Sequence, residues 1–161
     1  MNLATESAAD WWEVEALYDL CFAPGRSALS SYRLREGVDP IAPLCLTVRD
    51  ADGTLAGAVR NWPVRIGDDL AVLLGPIAVH PTRQGEGVAA FLMQACLTKA
   101  AEIGWTRVML VGDAPYYGRF GFTKLENVEM PPPTNPDRVL GLALVPGAWD
   151  NVQGTVTAAR D

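Results

Sequence analysis

The chain has 161 residues, of which 49% are hydrophobic, and a net charge of −6. This composition predicts one domain, residues 1–161, with a sizeable core, and it excludes global disorder. The acidity and the lack of a Lys/Arg run disfavour a nucleic-acid partner, and no apolar run is long enough to cross a membrane.

The first third of the chain predicts helices followed by an antiparallel pair of strands. Apolar residues recur at helical spacing over 8–22, and residues 27–36 fit a second, shorter helix. Strands are expected at 44–48 and 55–66, because the turn sequence at 50–53 separates them.

The middle of the chain predicts one β-α-β crossover. Residues 70–79 form a strongly apolar strand that Gly75-Pro76 interrupts. Because proline has no amide hydrogen to donate to a ladder, this dipeptide predicts a bulge or a splayed edge. A helix from Val88 to its stop at Gly104 and a buried strand over 105–111 complete the unit.

The last third predicts a short helix at 114–120 and strands at 122–125 and 139–145, with a stiff proline-rich loop at 131–136. The order is therefore helices, an antiparallel meander, one crossover and further strands. That order predicts an α/β or α+β fold around a mixed sheet.

The segment between the apolar strand and the long helix has the chemistry of an anion site. In Gln84-Gly85-Glu86-Gly87, two glycines let the backbone turn with its N–H groups pointing the same way. The helix that follows adds the positive end of its dipole, so the segment suits a pyrophosphate, with Arg83 placed to add one contact. The loop alone fits a tight turn without a ligand equally well.

Three motifs in order make the signal specific. Residues 84–89 read Q-x-x-G-x-A, which resembles the pyrophosphate loop of the GNAT superfamily of N-acetyltransferases. The preceding segment 75–81 is similar to that superfamily's fourth strand, and 116–122 resembles its Y-x-x-x-G-F element. The match is tight over 73–122, and the tail at 144–149 resembles a bacterial subgroup of predicted N-acetyltransferases.

The resemblance implies a mixed, mostly antiparallel central sheet with splayed fourth and fifth strands, flanked by helices. It also implies acetyl-CoA as cosubstrate and no metal. The implied cosubstrate contacts lie on the fourth strand, in the glycine loop and at one tyrosine: Ile77, Ala78, Val79, Arg83, Gln84, Gly85, Glu86, Gly87, Val88, Ala89 and Tyr117.

The implied reaction is transfer of an acetyl group from acetyl-CoA to a primary amine of an unidentified acceptor, by direct attack in a ternary complex. A backbone amide within 77–79 is the expected oxyanion donor. Tyr117 matches the family tyrosine that protonates the leaving sulfur, a role that suits a phenol because it keeps its proton at neutral pH. Packing in an aromatic cluster is the alternative for Tyr117.

The general base and the acceptor pocket stay open. His80, at the end of the fourth strand, fits a structural role better than catalysis. Asp113 either acts as base or caps the short helix, and a water chain is the third candidate. The charged residues considered for the acceptor pocket are Glu15, Glu36 and Arg60.

Two other functions compete with acetyl transfer. Residues 85–90 satisfy G-x-G-x-x-A of dinucleotide-binding enzymes, but five residues, 80–84, precede the first glycine, whereas a Rossmann turn follows its strand directly. The second competitor is a non-catalytic acyl-CoA sensor or interaction module. The presence of Tyr117 favours catalysis over that module.

The remaining features bear on location and assembly. Three cysteines without C-x-x-C spacing and a single histidine argue against a disulfide framework and against a His/Cys metal site. The N-terminus lacks the pattern of a signal peptide, so a cytoplasmic protein is expected. The resemblance leaves a homodimer through the sheet or the tail open.

Overall fold

The computed structural model describes residues 1–22 and 30–160. Within these residues, nine strands belong to one sheet. The strands are β1 (Asn2–Thr5), β2 (Leu46–Arg49), β3 (Leu55–Ile66), β4 (Asp69–Val79), β5 (Arg107–Val111), β6 (Thr123–Lys124), β7 (Val128–Glu129), β8 (Val139–Ala143) and β9 (Gly154–Ala158). The helices are α1 (Trp11–Cys21), α2 (Ser30–Arg33), α3 (Val88–Glu102) and α4 (Ala114–Tyr117).

The sheet is mixed and mostly antiparallel. Its order is β1-β2-β3-β4-β5-β8-β6, with β9 beside the end of β3 and β7 beside β9. Parallel pairing occurs between β4 and β5, where α3 makes the crossover, and between β7 and β9. The predicted α/β class and mostly antiparallel sheet are therefore confirmed.

Helices α1 and α3 cover opposite faces of the sheet. Ala58 of β3 packs in a cluster with α1, whereas the next residue, Val59, packs in the cluster that contains the α3 residues Leu92 and Met93. Consecutive strand residues point to opposite faces, so the two helices lie on opposite sides. The apolar stripes predicted for both helices are the surfaces that pack on the sheet.

The register between β3 and β4 contains the predicted bulge. Val59 pairs with Ile77 and Asn61 pairs with Leu74, so two steps along β3 match three along β4. The extra residue falls at Gly75-Pro76, and Gly75 has a φ of 128°, which suits glycine. The bulge follows directly from the proline, as the sequence predicts.

Strands β4 and β5 separate beyond the bulge. They pair at Val72 with Val108 and at Leu73 with Met109, and β4 then continues to Val79 while β5 ends at Val111. On the side away from β4, β5 pairs with β8 from Arg107 to Val111. The splay between the fourth and fifth strands is therefore present in the structure.

Several predicted boundaries differ from the structure. The strand expected at 44–48 begins at Leu46, because Ala42–Leu44 form a single 3-10 turn. The first helix begins at Trp11 after a 3-10 turn, and the start of the helix expected at 27–36 lies outside the described residues. Strands β1, β7 and β9 were not predicted, since they are short and mostly exposed and carry no clear apolar alternation.

No helix in residues 1–22 and 30–160 is long and apolar enough to cross a membrane.

The packing of α3 provides a test of the core. Leu92 is fully buried between α3 and the sheet, whereas its neighbour Phe91 is 45% exposed. Leu92→Ala should lower the free energy of unfolding by about 2–5 kcal/mol, because it leaves a cavity, while Phe91→Ala should lower it by less than about 1 kcal/mol. Urea denaturation measures both, and equal losses would contradict this packing.

Candidate active site

The loop after β4 is shaped by two glycines. A 3-10 turn at Pro81–Arg83 leads into Gly85 and Gly87, whose φ values are 84° and 80°. A Cβ at either glycine would meet no neighbouring atom within 4 Å. These glycines are therefore required for the left-handed backbone and not for close packing.

The start of α3 presents a group of free amides. The amide of Phe91 donates to the carbonyl of Gly87 at 3.0 Å, which is the first bond of the helix. The amides of the four preceding residues, Gly87 to Ala90, consequently have no acceptor within the helix. Such amides, together with the helix dipole, have the chemistry that binds an anion, and the binding of a pyrophosphate here stays a prediction.

Arg83 is engaged by protein carboxylates. Its guanidinium forms ion pairs with Asp50 and with Glu86, the latter at 3.2 Å, and these hydrogen bonds raise the pKa of Arg83. Gln84 turns back to β4, where its side-chain amide donates to the carbonyl of Val79 at 3.4 Å. In this structure Arg83 connects the loop to the β2–β3 turn, and its predicted contact with a phosphate stays a prediction.

The splayed half of β4 turns backbone groups into the gap. The amide of His80 donates to the carbonyl of Ala56, so His80 and Ala78 belong to the pairs that hydrogen-bond to β3. Because such pairs alternate in an antiparallel ladder, the amides of Ile77 and Val79 point away from β3. No strand of the described part of the chain pairs with them on that side, which leaves them available to a ligand.

Helix α1 holds the bulge in place. The hydroxyl of Tyr18 donates to the carbonyl of Pro76 at 2.9 Å, and the Sγ of Cys21 donates to the carbonyl of Val79 at 3.3 Å. Tyr18 is 1% exposed, and burial raises the pKa of its phenol. Both residues belong to the apolar helical pattern over 8–22, and that pattern does not predict this role. The signal was a tyrosine on a buried face, whose hydroxyl needs a partner.

Tyr117 stands at the end of α4, next to the gap. Asp113 caps this helix by accepting from the amide of Tyr116 at 3.0 Å. The ring of Tyr117 lies edge-on to Tyr116, with centroids 4.9 Å apart, and covers Gly112 so closely that a Cβ there would collide with it. Burial raises the pKa of Tyr117 above its ordinary value.

A cleft of about 160 Å³ lies where β4 and β5 part. It brings together two predicted site residues, Ile77 and Tyr117, and adds Tyr32 and Arg35 from the segment around α2, which the sequence did not single out. The cleft is also lined by Gly75, Pro76, Leu110 and Val111. The cleft is mostly apolar, so any charge within it is poorly screened.

The other predicted candidates lie elsewhere. His80 forms a local contact between its Nδ1 and the Thr82 hydroxyl at 2.8 Å, at the start of the loop. Arg60 is bound to Glu6 and Glu15, and the carbonyl of Glu36 accepts from the Arg160 guanidinium. Among the described residues that line the cleft, none is an aspartate, glutamate or histidine.

Comparison with known proteins agrees with this geometry. Residues 11–122 match the model of the acetyltransferase (GNAT) family. The chain is also 33% identical over 124 residues to the uncharacterized N-acetyltransferase YhbS of Escherichia coli K12, covering 76% of this chain and 73% of that protein. The chain therefore belongs to the GNAT family of acetyltransferases, which confirms the resemblance seen in its motifs.

Solved structures extend the match to nearly the whole chain. The E. coli YhbS structure in complex with CoA is 28% identical, with a TM-score of 0.84, over 98% of this chain and 88% of that one. A GNAT acetyltransferase from Brucella melitensis in complex with acetyl-CoA is 26% identical, with a TM-score of 0.72, over 97% and 94%. In the part of the chain that the structure covers, no cluster of three potential metal ligands occurs.

The bond between α1 and the bulge provides the second test. Tyr18→Phe removes the donor to Pro76 and should lower the free energy of unfolding by about 1–3 kcal/mol, since the partly buried carbonyl loses its partner. Tyr116→Phe, at a half-buried position in α4, is the matched control and should change stability by less than about 0.5 kcal/mol. Equal effects in urea denaturation would show that the hydroxyl of Tyr18 does not secure the bulge.

Proposed function

We propose that this enzyme transfers the acetyl group of acetyl-CoA to a primary amine by direct attack within a ternary complex. The observation that carries the proposal is the gap past the β4 bulge, where uncovered amides of β4 and the ring of Tyr117 meet. Relatives of similar fold bind CoA and acetyl-CoA, which supports the same cosubstrate here.

The cosubstrate would extend from the glycine loop into the gap. Its pyrophosphate would accept hydrogen bonds from the amides of 84–89, with Arg83 and Glu86 holding the loop in shape. Its pantetheine arm would lie along 77–79 in place of the missing strand, paired with the amides and carbonyls that β4 turns outward. This places the thioester next to the bulge.

The chemistry then needs three groups. The neutral amine attacks the thioester carbonyl, and the amide of Ile77 or Val79 donates to the developing oxyanion. As the C–S bond breaks, Tyr117 gives its proton to the sulfur, and the product is an amide and free CoA. Because no carboxylate or imidazole of the described residues lines the cleft, we assign removal of the proton from the amine to water.

The first test addresses the loop. Gly87→Glu should lower acetyl-CoA affinity at least about tenfold, because it places a carboxylate among the amides meant for the pyrophosphate. Calorimetric titration measures the affinity. Gly67→Glu is the matched control, since Gly67 also has a positive φ and open space but lies in the β3–β4 turn. Unchanged affinity in Gly87→Glu would rule out the loop as the cosubstrate site.

The second test addresses the acid. Tyr117→Phe should lower kcat about 100-fold while leaving acetyl-CoA affinity unchanged, because only the proton donor is lost. Because burial raises the pKa of Tyr117, the phenol keeps its proton to a higher pH than an exposed tyrosine does. The alkaline decline in kcat should therefore lie at a higher pH than the ordinary titration of tyrosine, and it should disappear in the variant. Thiol release is the measurement, with Tyr116→Phe as control.

The non-catalytic alternative makes a different prediction in the same assay. A sensor or interaction module would bind acetyl-CoA but release no thiol with any amine in a panel of polyamines, aminoglycosides, amino acids and peptides. That result would overturn the proposed function.

A further inference from the structure

Arg35 places a cation in the acceptor end of the cleft. It follows α2 in the chain and lines the cleft together with the bulge of β4. Its Nη2 would lie 3.9 Å from a Cβ built on Gly75, so the guanidinium sits against the residue at which the strands begin to part. It therefore lies beside the bulge, next to which the proposed function places the thioester.

Among residues 1–22 and 30–160, no carboxylate pairs with the buried charge of Arg35. The residue is 9% exposed, and its buried Nε has no hydrogen-bond partner among the described residues. The guanidinium stacks on the rings of Tyr32, at 4.1 Å, and Trp62, at 5.8 Å. Burial lowers the pKa of Arg35, and the side chains that also affect it are Tyr32, Tyr18 and Arg60, none of them a carboxylate.

Arg60 is a second buried arginine, and its surroundings show how a structural cation is neutralised in this protein. Arg60 is also 9% exposed, and it binds the carboxylates of Glu6, at 2.9 Å, and Glu15. Burying a cation is costly unless a counter-charge is supplied. Arg60 receives its counter-charge from the protein. For Arg35, the open side of the cleft is where a counter-charge can come from.

The chemistry of the site favours a carboxylate as that counter-charge. A planar guanidinium held between aromatic rings presents its N–H groups as a fork, which matches the two oxygens of a carboxylate. A carboxylate balances one positive charge, whereas a phosphate monoester carries about −1.5 to −2 and would leave excess negative charge in an apolar cleft.

We infer that Arg35 binds the carboxylate of the acetyl acceptor and so selects amino acids, presenting their amino group to the thioester beside the β4 bulge. The inference rests on the proposed function, since it names the acceptor class of the same site. It assigns a specificity-determining role to Arg35, and Tyr32 and Trp62 act as positioning residues that hold its plane.

The experiment compares each amino acid with its own carboxamide as acceptor for the wild-type enzyme, with acetyl-CoA saturating and thiol release as the signal. The carboxamide has the less basic amine, so more of it is unprotonated near neutral pH, and a preference for the acid therefore reports recognition of the carboxylate. We expect kcat/KM for at least one free amino acid to exceed that of its carboxamide by about 10- to 100-fold, the range of a charged hydrogen bond.

Variants assign this preference to Arg35. In Arg35→Gln, the acid should lose about 10- to 100-fold in kcat/KM, mainly through KM, while the carboxamide keeps its rate, and Arg35→Lys should retain part of the preference. Acetyl-CoA affinity should be unchanged in both variants. An equal loss for acid and carboxamide would mean that Arg35 supports the fold only, and would overturn the inference.

The remaining outcomes separate the two proposals. Acetylation of polyamines or aminoglycosides without any preference for acids would overturn the inference and leave the proposed function standing. Acetyl-CoA binding without acetylation of any amine would overturn the proposed function itself. Should Arg35→Gln fail to fold, the wild-type comparison and Arg35→Lys decide the matter, and equal use of acid and carboxamide would count against a role for Arg35.

Discussion

The parting of β4 from β5 is the constraint on which the site depends. Pro76 cannot donate to a ladder, so the strand must bulge there, and the pairing with β5 is confined to residues before it. Beyond the bulge, the amides of Ile77 and Val79 point away from β3, and no described strand pairs with them. Tyr18 of α1 supports this arrangement by donating a hydrogen bond to the carbonyl of Pro76. An opening in the sheet is thus held by ordinary hydrogen bonds.

In this acidic chain, the charge at each site depends on the groups in direct contact with it. With a net charge of −6, the protein does not attract an anion through its overall charge, and the anion site predicted at the start of α3 would rely on oriented amides instead. The guanidinium groups of Arg60 and Arg83 are matched by protein carboxylates, so neither adds free positive charge. Arg35 differs because its surroundings are aromatic, and this difference is why we assign it to the acceptor.

Local chemistry explains why part of the site could be predicted. The two glycines, the helix that follows them and the proline that breaks β4 all act within a few residues, and the motif around Tyr117 is equally compact. The roles of Tyr18 and Arg35 could not be found in this way. Tyr18 acts on a carbonyl 58 residues away, and no spacing rule connects the segment after α2 to the edge of β4.

The sequence by itself determined the fold class, the bulge and the glycine turn that precedes α3, because backbone chemistry and helical periodicity are properties of short segments. Only the tertiary structure decided which charges are neutralised and which line the cleft. Arg35, Arg60 and Arg83 are the same residue type, and a guanidinium is defined as a structural group or a binding group by what packs against it. That packing is set by contacts between segments distant in the chain.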